Sequence, residues 1–485
     1  MKRSRRATAK TSRPAKEKPS IHRRATKRPP TAGRRVVAAA PDDLVSFTVV
    51  CVPATGATLD EVRSRLSART VKEFHPDEAV RRKVVTRLRQ FGFEVFAGSG
   101  PVVAARGTVQ RFGEVFGGRF EKTIRRHRTR ESRRPRIETS IRLQKGAIPS
   151  PEAIPEALLV AVSMKPIPAT PSIPPGLKGL NLRVPGDIAQ LTRASATHRR
   201  SVPTGDRATG GGITVAVVDT GFAEHPYYSD HDYRITRMSA SDVTTEPTED
   251  EGEHGTCILA SLFACAPDAH ALAVKYDDPV VALHDAINYG GVNVLSLSWG
   301  YDLYGEEGLA SGPLDLLPLQ IVLLDAIASG ITVVAAAGNG TINFPAMMPE
   351  VIAVGGASID HNDAVEVWDG ASSFRSVIFK GRDVPDLCAF ASHALLPLTR
   401  PAAAPEWLPM LGGTSLATCQ VAGIVALLLQ KDATLTPQDI RDRLMGTATD
   451  ITSGISATGD AAAVGVDLAS GAGLVNALAA WNSLS

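Results

Sequence analysis

The chain is poor in aromatic residues, which make up 5% of its 485 positions, and no window of about 18 consecutive apolar residues occurs in it. A helical membrane span is therefore not expected. Cysteine is scarce too: Cys51, Cys257, Cys265, Cys388 and Cys419 are odd in number and scattered through apolar segments. No CxxC or Cys/His cluster has zinc-ligand spacing, and the pattern reads as reduced, buried thiols rather than a disulfide framework. A secretory signal needs an apolar run of about 7 to 15 residues. The basic start is followed only by VVAAA at 36–40. A cytoplasmic location is the resulting expectation. No repeat of solenoid period is present.

What is there is a chain of ordinary globular composition, 44% hydrophobic and 21% charged, long enough for two to three folding units. Its small formal charge of +3 hides an asymmetry, because residues 1–40 carry 14 Lys or Arg against the single acid Glu17. The rest is net acidic. Residues 1–42 are accordingly expected to form a disordered, solvated extension, with nucleic-acid binding as the sharper alternative. Residues 43–165 read as a smaller α+β domain. LVSFTVVCV alternates like a strand, 59–68 and 77–91 have helical spacing, FEVFAGSGPVVAARG reads as two strands about a Gly turn, and GTVQRFGEVFG reads as a helix. The Pro-rich PSPEAIPEALLVAVSMKPIPATPSIPPG then reads as a boundary or linker. Residues 166–209 complete that linker and begin the next domain.

From 210 to 485 apolar strands alternate with helices, a pattern that predicts an α/β domain with a mostly parallel sheet covered on both faces. Reactive residues in such sheets gather at the carboxyl ends of strands. Asp219 ends ITVAVVD. His254 starts the helical run HGTCILASLFA, where a helix start is expected to lower the imidazole pKa and keep it neutral. Asn339 follows ITVVAAAG. Ser415 stands after Gly412 and Gly413 at the start of a long apolar helix, whose free N–H groups favour an oxyanion. Each has an ordinary structural explanation as a turn former or cap. Together, in the chain order Asp, His, Ser, they match the order of a subtilisin triad.

At these residues the chain resembles the subtilisin-like serine proteases: VAVVDTG around Asp219, HGT at His254, AAAGN ending at Asn339, and GTSLATCQVAG around Ser415. The resemblance implies a subtilisin-like three-layer catalytic domain and a serine endopeptidase. Asp219, His254 and Ser415 would be its triad and Asn339 its oxyanion donor. Ser298, Trp299 and Gly300 would form one wall of the substrate cleft, and Ala336, Ala337 and Gly338 the other. No cofactor is required for that chemistry. Structural calcium, common in the family, has no defining ligand spacing here. Where the family usually has Pro this chain has Cys419, and where it has Ala-Gly this chain has Ala260 and Ser261.

LSLSWG at 295–300, GRDVPDLCAFA at 381–391, and GTVQRFGEVFGGRFEK with IPEALLVAV are similar instead to sedolisins and their activation domain. His254 and Asn339 stand where sedolisins use acids, so subtilisin chemistry is expected. The resemblance also implies a self-processing zymogen in which residues 43–165 chaperone and inhibit the enzyme. Partners are then polypeptide substrates and the chain's own prodomain. The competing reading is a catalytically silent, peptide-binding pseudoprotease.

Overall fold

The computed structural model describes residues 34–96, 98, 100–127, 136–164, 166–168, 185–250, 253–303, 312–359, 364–392, 394–397 and 408–484. It divides into a small unit, residues up to Val37 with Thr123–Ser140, and a large one, Ala38–Lys122 with Ile141–Ser485. Phe120–His127 lies between Arg34–Ala38 and Arg136–Leu143 in a three-stranded sheet. Arg34–Ala38 falls inside the stretch expected to be disordered. It is a strand because Val36 and Val37 favour extended backbone and Phe120–His127 gives it a neighbour to pair with. The rest of the basic segment, residues 1–33, lies outside the described residues, and so does the nucleic-acid reading attached to it.

Within the large unit, the first layer is a four-stranded antiparallel sheet in the order Glu94–Val95, Val102–Thr108, Leu44–Cys51, Ala157–Val162. The helix Leu59–Arg65 starts with a reciprocal cap, Thr58 and Glu61, that satisfies two otherwise orphaned N–H groups. Helices Glu78–Gln90 and Val109–Phe116 cover one face of this sheet around Phe47, Val49, Val103 and Phe112. Because successive strand residues point to opposite faces, the alternate set Val50, Val102, Ala104, Leu159 and Ala161 faces the other way. It packs on the helices Pro279–Tyr289 and Leu317–Ala328.

Ala157–Val162 is a strand of this first sheet and lies within the stretch 43–165 expected as an α+β domain. Prolines flank ALLVAV without entering it, and the apolar run is buried as the strand that pairs with Leu44–Cys51.

The second layer system is the predicted parallel sheet. Its order is Ile235–Ser239, His270–Lys275, Thr214–Asp219, Val292–Leu297, Thr332–Ala336, Ile352–Ile359, with Val365–Val367 antiparallel at the end and Leu387–Phe390 parallel to Ile352–Ile359. Val215 and Val217 face the helices His254–Cys265 and Thr414–Lys431, while Ala216 and Val218 face the opposite helical layer. This is the expected three-layer arrangement. Thr414–Lys431 is the one described helix long and apolar enough to cross a membrane. It lies in the core, and each Val or Leu it buries contributes roughly 1.5–3 kcal/mol.

Candidate active site

Strand register brings the distant residues level. Val217 is opposite Ser296, and Ser296 is opposite Val334. Two residues further along each strand, Asp219, Ser298 and Ala336 stand together at the carboxyl edge. Asn339 follows three residues after that edge, and the amino ends of the helices bearing His254 and Ser415 start beside it. Asp219, His254 and Ser415 are 1%, 3% and 3% exposed.

His254 Nδ1 donates to Asp219 Oδ1 over 2.8 Å, which leaves Nε2 buried with no hydrogen-bond partner. The close approach requires glycine at 255, where a side chain would run into the Gly221 carbonyl and press on Asp219 Cβ. Burial by itself pulls the imidazole pKa down. The charge and hydrogen bond of Asp219, with the charge of Asp250, outweigh it, and the pKa of His254 lies above its ordinary value. The lowering expected from a helix start is not the outcome.

Ser415 Oγ donates to the Ser298 carbonyl at 3.0 Å, and Ser298 Oγ donates back to the Ser415 carbonyl at 3.0 Å. Asn339 Oδ1 accepts from both Thr414 N and Thr414 Oγ1 at 3.0 Å. A backbone N–H can only donate, so this pairing fixes which end of the amide is oxygen. Nδ2 then borders the space that a Gly413 side chain would occupy: it lies 3.4 Å from that position, and Ser415 N lies 3.8 Å from it. The absent side chain leaves a hollow lined by two donors.

The residues expected to wall a substrate cleft are held largely by backbone pairing and burial. Trp299 is buried, its indole donating to the Val218 carbonyl at 2.9 Å, while the strand Trp299–Asp302 pairs with Asn343–Phe344. Ala336 and Ala337 are buried, and Gly338 donates its N–H to Thr414 Oγ1 at 3.2 Å. Cys419 packs beneath Ser415, 3.5 Å from Ser296 Oγ and 3.7 Å from Ser298 Oγ. Ser261, the other departure, is buried with its hydroxyl unpartnered. All five cysteines are free and buried, and burial pushes the Cys257 thiol well above its ordinary value, which makes it inert.

Sequence reasoning missed Asp250. Its Oδ2 accepts Thr256 N at 2.8 Å and Thr256 Oγ1 at 2.7 Å, and its Oδ1 accepts Thr220 Oγ1 at 2.8 Å. It therefore ties the start of the His254 helix to the residue after Asp219. Burial, with the Asp219 charge nearby, holds Asp250 above the ordinary carboxylate range. The available signal was an acid four residues before His254, hidden among the acids of EPTEDEGE. Among the described residues no group of three or more His, Cys, Asp or Glu is placed to hold a metal ion.

Residues 210–473 match the Subtilase family, more than half of the chain. The chain belongs to the subtilase family. Over 280 residues this subtilase is 31% identical to Subtilisin Savinase of Lederbergia lenta, across 56% of this chain and 93% of that protein. It is 31% identical over 276 residues to M-protease of Shouchella clausii, across 55% of this chain, and the match spans only 65% of M-protease's own length. Fervidolysin from Fervidobacterium pennivorans, a keratinolytic enzyme related to subtilisin, has a similar fold. The TM-score is 0.54 at 18% identity, with 91% of this chain and 61% of that chain covered.

Proposed function

We propose that this subtilase is a serine endopeptidase made as a self-processing zymogen. Ser415 attacks the carbonyl carbon of a peptide bond, and rotation about its Cα–Cβ bond exchanges the Ser298 carbonyl for His254 Nε2, which takes the proton. Asp219 holds the imidazole in the tautomer that leaves Nε2 free to accept. The tetrahedral oxygen sits in the hollow at Gly413 between Asn339 Nδ2 and Ser415 N. His254 returns its proton to the leaving amine, and water hydrolyses the acyl-enzyme. These steps use protein groups alone.

The observation that carries this reading is the Asp219–His254 hydrogen bond of 2.8 Å, with Nε2 unpartnered beside that two-donor hollow. The buried interface between residues 43–164 and the helices Pro279–Tyr289 and Leu317–Ala328 supports the inhibitory, chaperoning role of the first domain. A fluorophosphonate probe tests the assignment. Labelling of the wild type that disappears in Ser415→Ala supports it; a wild type that is neither labelled nor able to cut casein sinks it.

A further inference from the structure

Pairing between the parallel strands Val292–Leu297 and Thr332–Ala336 stops at Leu297 and Ala335. Beyond that point the first segment runs on through Ser298 into the strand Trp299–Asp302, which pairs with Asn343–Phe344 and with Ile167–Pro168 instead. The second segment runs on through Ala337 and Gly338 to Asn339. An open α/β sheet receives its ligands outside the carboxyl ends of its strands. Here the two diverging segments flank the nucleophile, since the Ser298 carbonyl receives the Ser415 hydroxyl and Asn339 Nδ2 borders the hollow at Gly413.

The small residues Ala336, Ala337 and Gly338 on one segment and Gly300 on the other would by themselves leave a wide gap. A third segment fills it. Asn343 stands opposite Asp302 in the antiparallel pair, and its carboxamide lies between the two walls. A Cβ at Gly300 would come within 2.8 Å of Asn343 Nδ2 and 2.9 Å of its Cγ, and a Cβ at Gly338 would come within 3.0 Å of the same two atoms. One amide therefore touches both sides of the gap at once. It is 7% exposed and held at both ends: Oδ1 accepts the Thr341 hydroxyl at 2.9 Å, and Nδ2 donates to the Ala336 carbonyl at 3.5 Å. A carbonyl only accepts, so the second contact fixes that end of the amide as nitrogen.

We propose that Asn343 sets the substrate preference of this enzyme by closing the gap to all but small side chains, so that glycine, alanine or serine stands immediately before the cut bond. This rests on the protease reading above. When the attacked carbonyl carbon is at Ser415 Oγ and its oxygen is in the hollow, the side chain of that residue starts one bond away and enters the gap between Gly300 and Gly338. A small side chain fits above the amide. A ring or a branched chain has to displace Asn343, which strips a buried amide of its partners. Selection thus comes from what the site rejects.

Peptide p-nitroanilides of the form Ala-Ala-Pro-X, cut by the purified active enzyme, test this. For the wild type, kcat/KM with X as alanine or serine is expected to exceed that with phenylalanine or leucine by about tenfold or more. Asn343→Gly is expected to lower the alanine-to-phenylalanine ratio by about tenfold, and Asn343→Ser to give an intermediate ratio. Both substrates are read on one preparation, so loss of folded protein does not move the ratio. A fluorophosphonate-reactive wild type that cuts after phenylalanine or leucine as readily as after alanine overturns the proposal and leaves the protease reading intact. An unchanged ratio in an active Asn343→Gly does the same. A wild type that is neither labelled nor able to cut any peptide of the series overturns the protease reading itself.

Discussion

Two histidines of this chain are equally buried and end in opposite states. His254 accepts the company of a carboxylate, and Asp219 with Asp250 lifts its pKa above the ordinary value against the cost of burial. His284, on the helix Pro279–Tyr289, has burial first and the Arg81 guanidinium second, only partly offset by Asp325, and is pushed down to about 4. Its ring packs against the Gly98 backbone of the first domain, whose carbonyl accepts from Arg81, and its Nδ1 has no partner. Burial alone does not set a histidine's charge. At His254 the carboxylates outweigh desolvation, whereas at His284 desolvation is the larger cause and the Arg81 charge adds to it.

Removing the carboxylate should break the comparison most severely. Asp219→Asn is expected to lower kcat by about 10⁴-fold, the size of the corresponding loss in the trypsin-type triad, since the amide no longer selects the tautomer with Nε2 free. Single-turnover acylation kinetics measure it, and a loss under tenfold would contradict the assigned role. Next, Asn339→Ala should cost roughly 10²- to 10³-fold in kcat with little change in KM, because it removes one of the two donors facing the hollow at Gly413. An effect confined to KM would count against it.

His284 gives a third, purely thermodynamic contrast. Its folded pKa is depressed below the unfolded value, so the neutral form is the one the fold accepts. Stability is full above the unfolded value near 6.5 and falls as pH drops toward about 4, by roughly 3 kcal/mol in all. Denaturant midpoints of His284→Leu are expected to fall less between pH 7 and pH 4 than those of the wild type; equal slopes would refute this. The smallest effect belongs to Asp250→Asn. In the proposed mechanism His254 acts in its neutral form, so the wild-type rate is expected to decline as pH falls through a value above that of a free imidazole. The variant should move this limb to lower pH, since one of the two charges raising His254 is gone. An unmoved limb in kcat/KM profiles would show that Asp250 acts only as a helix tether.

Much of the fold could be read in advance where pattern and packing agree. ITVAVVD, VNVLSLSWG and ITVVAAAGN are continuous apolar strands because both faces of a parallel sheet are covered. The misreadings share a cause. The prolines around ALLVAV give that stretch the composition of a boundary, yet a proline outside a strand costs the strand nothing. FEKTIRRH and RIETSIRL carry so many charges that alternation was invisible, and only their pairing makes them strands. Asp250 is hidden among neighbouring acids because what distinguishes it is a pair of hydrogen-bond partners, Thr256 and, thirty residues away, Thr220, and a partner so distant leaves no local trace.

The residue types and their order along the chain already determined the family, the parallel sheet and the identity of the four candidate site residues. Which of two buried histidines carries a raised pKa, which main-chain strand lies along Trp299–Gly300, and where a hollow opens at Gly413 were decided only by the tertiary structure. The reason is physical. Motifs specify local conformation, whereas charge, register and empty space depend on atoms brought together from opposite ends of the sequence.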